Sequence, residues 1–149
     1  MALFIRFFVI IFGFFFGCLA AGAVFVVATL PAGTLEPPFE QFDWVILSVA
    51  VLTSAAIVSV IAFVPSIIVI LIAETLALRS LFFYAIAGGI GGLFYGMTFP
   101  AASIATTSFD RTMQITLAAG VAAGLIYWLT AGRSAGRWRG DSARAGENI

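Results

Sequence analysis

Apolar residues run in long blocks through this chain, with short polar breaks between them. Phe7 to Leu30 is the first block, 24 residues without a charge. A helix needs about 20 such residues, at 1.5 Å rise each, to cross the hydrocarbon core of a bilayer. The pattern therefore predicts a first span at about 7–30. A cleaved leader competes with it, with Arg6 before the apolar stretch and Ala21-Gly22-Ala23 as the cut. The apolar run continues well past that point, which favours a retained helix.

Residues 31–43 carry three prolines and three acids, and they read as a loop. Trp44 opens the second block. A helix over 44–64, kinked near Pro65, is expected to have an apolar extension to 73. The competing register makes Ser66 to Ala87 the span, which puts Glu74 and Arg79 at mid-bilayer. Each charge there costs about 2.5–3.5 kcal/mol on insertion scales. The cheaper arrangement places both at an interface, in a turn. The third span is predicted at 81–99, ended by Pro100, and the fourth at 113–131. A hydroxyl-rich loop joins them. Residues 132–149 form a basic cytoplasmic tail whose end is expected to be disordered.

Within these blocks, glycine recurs at helical spacing: Gly13 and Gly17; Gly88, Gly92 and Gly96; Gly120 and Gly124. In a bilayer such stripes let helix backbones approach closely. They are expected to pack the chain's own bundle, and as a sharper reading to meet a partner or a second copy. Gly88 to Gly92 lacks both the spacing and the Lys-Ser/Thr of a phosphate loop.

Composition agrees with the pattern. Of 149 residues, 62% are hydrophobic and 9% charged, against about 25% charged in soluble domains. The expected fold is an all-α integral membrane protein, four transmembrane helices in an up-down bundle. There is no His and no Lys, and formal charge is zero. No basic field attracts nucleic acid, and the commonest general base and metal ligand is missing. Cys18 is single, so it forms no intrachain disulfide. No catalytic, cofactor or metal site is expected, and the chain does not read as an enzyme.

Charge placement predicts orientation. With four spans, Arg6, Arg79, Arg133, Arg137, Arg139 and Arg144 share one side and only Arg111 lies opposite. This is the positive-inside bias, and it puts both termini in the cytoplasm. Arg133, Arg137, Trp138 and Arg139 are candidates for lipid-headgroup contact and orientation. Glu74 with Arg79 is a candidate ion-coupling pair. Arginine as the sole cation type suggests a bacterial inner membrane. The overall plan is similar to that of many short four-span proteins of that membrane. The expected role is an accessory or scaffold subunit that binds other membrane helices, or itself, within the lipid bilayer. The alternative is a small oligomeric transporter or channel using Glu74.

Overall fold

The computed structural model of the chain describes residues 2–30, 44–98 and 111–134. Their regular structure is all helical: α1 Ala2–Thr29, α2 Trp44–Thr75, α3 Leu81–Thr98 and α4 Arg111–Thr130, with a short 3-10 turn at Gly132–Ser134. All four long helices are apolar enough to cross a membrane. The 18 residues of α3 and 20 of α4 span about 27 and 30 Å, matching a bilayer core. With 28 and 32 residues, α1 and α2 exceed it.

The helix in α2 runs on through Pro65 to Thr75. Proline removes one amide donor and crowds the carbonyl four residues back. In apolar surroundings the neighbouring peptide groups have no water to turn to, which favours resuming the helix at once. The sequence placed the helix proper at 44–64 with an extension to 73; the structure makes both one element.

α2 ends in a compact cap. Leu78 N–H donates to Ala73 C=O at 2.9 Å, Ala77 N–H donates to Glu74 C=O at 3.4 Å, and Ala77 has φ of 50°. This is a Schellman motif, with a left-handed residue just past the helix. That residue is usually glycine, because a Cβ costs about 1–2 kcal/mol there.

Packing follows a chain of neighbours: α2 against α1, α1 against α4, α4 against α3. Each of these pairs is antiparallel by its contacts. Gly22 faces Ala55 and Val51, Phe14 meets Phe63, and Arg6 meets Glu74. Gly13 faces Tyr127 and Ala131, and Gly17 faces Ala123. α2 and α3 touch sparingly, and the buried cluster that joins them lies beside the link at 76–80.

The α3–α4 seam is the tightest. A Cβ added to Gly88 or Gly92 would overlap the carbonyl oxygen of Gly120 or Thr116. One added to Gly120 or Gly124 would overlap that of Gly88 or Tyr84. Backbone touches backbone in both directions, which is how small residues hold helices together where lipid supplies no hydrophobic drive. The buried residues are mostly small or slender, among them Cys18, Ala21, Ala55, Ala73, Thr116 and Ala119. The large side chains, such as Phe8, Phe12, Ile86, Ile90 and Phe94, face outward.

Candidate functional site

The antiparallel registers bring four segments to one end of the bundle: the start of α1, the end of α2, the start of α3 and the end of α4. The polar chemistry of the described residues concentrates there. Arg6 Nε donates to Glu74 Oε1 at 3.0 Å, and Arg6 Nη2 donates to the same oxygen. Both side chains are largely shielded, at 12% and 16% exposure. Beneath them Ala73, Tyr84, Tyr127 and Ala131 form a buried cluster, flanked by Val9, Ile70, Leu78, Phe83 and Trp128. The Tyr84 and Tyr127 ring centroids are 5.4 Å apart.

Two aromatic donors fasten the 76–80 link to this cluster. Tyr84 Oη donates to Leu78 C=O at 3.2 Å, and Trp128 Nε1 donates to Arg79 C=O at 2.8 Å. Peptide carbonyls just past a helix end need such donors where water is scarce. The Arg133 guanidinium lies over the Trp128 indole, 5.6 Å from its centroid. Gly132 makes room for this arrangement, since a Cβ there would lie 2.8 Å from Tyr84 Cε2 and 3.1 Å from Trp128 Cδ1.

The residues singled out by sequence fall as follows. Gly88, Gly92, Gly96, Gly120 and Gly124 line the α3–α4 seam, while Gly13 and Gly17 line the α1–α4 seam. Glu74 sits in the last turn of α2 and Arg79 in the link that follows. Glu74 has Arg6, 68 positions away, as an ion-pair partner. Arg133 occupies the 3-10 turn. Arg137, Trp138 and Arg139 lie outside the described residues.

Sequence reasoning missed two features. Spacing alone makes Arg6 a flanking charge, although an antiparallel α1–α2 hairpin sets the start of one apolar run opposite the end of the next. Spacing alone gives Gly22 only a place within a cleavage motif. In the structure a Cβ on it would lie 2.9 Å from Val51 O and from Ala55 N.

Elsewhere, an open apolar groove of about 480 Å³ follows α1, lined by Ile5, Phe8, Val9, Phe12, Phe16 and Thr130. Hydroxyls along the helices bond their own backbone, as Ser48 does to Val45 C=O and Ser59 to Ala56 C=O. Among the described residues, no buried side-chain nitrogen or oxygen lacks a partner, and no three His, Cys, Asp or Glu side chains cluster as metal ligands would. Comparison of the chain with known protein families, curated proteins and solved structures gives no match.

Proposed function

We propose that this chain is a small non-catalytic protein of the bacterial cytoplasmic membrane, an accessory or scaffold subunit that associates with other membrane helices. In this reading the helices alternate up and down across the bilayer, with α2 bent near Pro65. Both termini face the cytoplasm, on the side that holds Arg6, Arg79 and Arg133.

One observation carries the reading: the unequal support of the four helices. The glycine faces of α3 and α4 are occupied by each other. α2 has α1 as its main neighbour, and only Ala55 and Ala73 of its 32 residues are buried. A helix so weakly held by its own chain has a long flank open to others. The docking face is therefore that of α2, at Val49, Leu52 and Val60, all well exposed. The interior supports a structural role too, since it is filled by small apolar residues and backbone contact.

The test is photo-crosslinking in native membranes from Val49, Leu52 and Val60, against Ile86, Ile90 and Phe94 on the outer face of α3. Protein adducts confined to the α2 set are expected. Adducts to lipid alone from both sets would overturn the proposal.

The second reading is a small oligomeric transporter or channel using Glu74, for which the observation is an ionisable carboxylate with an arginine counter-ion among apolar helices. Its test is solute or proton flux in liposomes, with Glu74→Gln reducing it. Absence of flux under every imposed gradient removes this reading.

A further inference from the structure

The outer flank of α2 carries a pattern that its own chain leaves unused. The buried residues of this helix, Ala55 and Ala73, share one flank. Nine residues make about two and a half turns, so Ile46 and Val64 lie on the flank opposite them. Along that line Ile46, Thr53, Ile57, Val60, Val64 and Leu71 follow one another at steps of three, four or seven, and all six are exposed. Steps of three and four are the seam of a left-handed helix pair that crosses at about 20°. One member of this seam is polar. Thr53 lies about 14 Å along the helix from Trp44, roughly half the thickness of a bilayer core. Ser48 and Ser59 of the same helix bond carbonyls three positions back. Among the described residues, the Thr53 hydroxyl has no hydrogen bond. In oil there is no water to supply one.

We propose that this seam binds a second copy of the chain, α2 against α2, across a two-fold axis along the membrane normal. The pairing rests on the docking reading of α2 above and names the occupant. Copies of one chain share one orientation in the bilayer, so their α2 helices meet parallel. A two-fold axis then sets each seam residue against its equivalent at one depth. A hydroxyl both donates and accepts, so Thr53 and the Thr53 of a second copy satisfy each other. A purely apolar partner helix would leave that hydroxyl unbonded. Ile57, Val60 and Val64 beside it are β-branched and hold one dominant rotamer in a helix, so little side-chain freedom is lost on contact. The face is also large enough. A third of the girth of a helix about 10–12 Å across, along about 48 Å of α2, presents roughly 500 Å² per copy. A pair then buries about 1,000 Å², the area at which biological interfaces begin.

The test uses the purified full chain with Cys18→Ala, in liposomes of rising lipid-to-protein ratio. Thr53→Cys or Val60→Cys puts one thiol on the seam, and Ile86→Cys or Ile90→Cys puts one on the outer face of α3. Oxidation should join copies through the two seam positions, at a yield that survives dilution in lipid. The two α3 positions should give only collisional crosslinks, which fade as lipid is added. Energy transfer between copies labelled at the amino terminus, with Thr53 in place, gives the dissociation constant. Thr53→Val keeps the shape without the hydroxyl and should raise that constant about threefold, from about 0.6 kcal/mol for a hydrogen bond between membrane helices. Thr53→Ser keeps the hydroxyl and should retain most of the affinity. Equal yields from the two faces, a monomer at every dilution, or a Thr53→Val constant equal to the parent's would overturn the pair. A monomeric purified chain whose α2 still crosslinks to a different protein in native membranes would remove the second copy and leave the subunit reading standing. Lipid adducts alone from α2 in those membranes would remove both.

Discussion

Arg6 in the second turn of α1 and Glu74 in the last turn of α2 are bonded to each other, with Nε 3.0 Å from Oε1. Each sits at the unfavourable end of its own helix dipole, a cation near an amino end and an anion near a carboxyl end. The pairing offsets both penalties, and it pins the two longest helices in register. Removing one partner takes away the salt bridge and leaves the other shielded charge less well compensated. Arg6→Gln and Glu74→Gln should each destabilise the fold by about 2–3 kcal/mol, whereas Arg6→Gln/Glu74→Gln should cost less than their sum. Unfolding in graded detergent mixtures, followed by circular dichroism, measures the cycle. Additive losses would show that the pair is not coupled.

The α3–α4 seam predicts opposite outcomes for two adjacent glycines. A methyl on Gly92 meets the Thr116 carbonyl, while one on Gly91 has nothing within 4 Å. Gly92→Ala should destabilise by about 1–3 kcal/mol because backbone must move. Gly91→Ala should stabilise by up to about 1 kcal/mol through helix propensity alone. Thermal unfolding of the two variants side by side decides the matter.

At the cap of α2, Ala77 holds φ of 50°. Ala77→Gly removes a Cβ from the left-handed region and should raise stability by about 0.5–1 kcal/mol, net of the extra freedom glycine has when unfolded. A loss of stability in the same unfolding assay would argue against the cap geometry.

The two aromatic latches on the link make a further pair. Tyr84→Phe removes the donor to Leu78 C=O, and Trp128→Phe removes the donor to Arg79 C=O. Each should cost about 0.5–1.5 kcal/mol. Amide exchange should rise across residues 76–80 more than elsewhere. Uniform exchange along the chain would contradict the latch.

The apolar blocks made the four helices legible in the sequence, because only backbone bonded within its own helix is cheap in lipid. Glycine spacing made the close contacts legible as well, but not the faces they would meet. A stripe at every fourth residue is the same whether it meets the next helix or another protein. The Arg6–Glu74 pair was out of reach for another reason. Sequence spacing exposes partners three or four apart on one helix, whereas these two meet through the pairing of α1 with α2. At Pro65 the apolar run past the proline made the extension of α2 legible, and the helix does run on to Thr75, where the freed carbonyl has no water to turn to.

The bond between the start of α1 and the end of α2 also bears on how the chain enters the bilayer. Taken singly, either helix would hold its charge at the bilayer edge without this salt bridge. Entering together, folded back on one another, they bring a neutral couple. The pairing therefore favours α1 and α2 as one hairpin unit, with α3 and α4 joined to each other by their bare flanks.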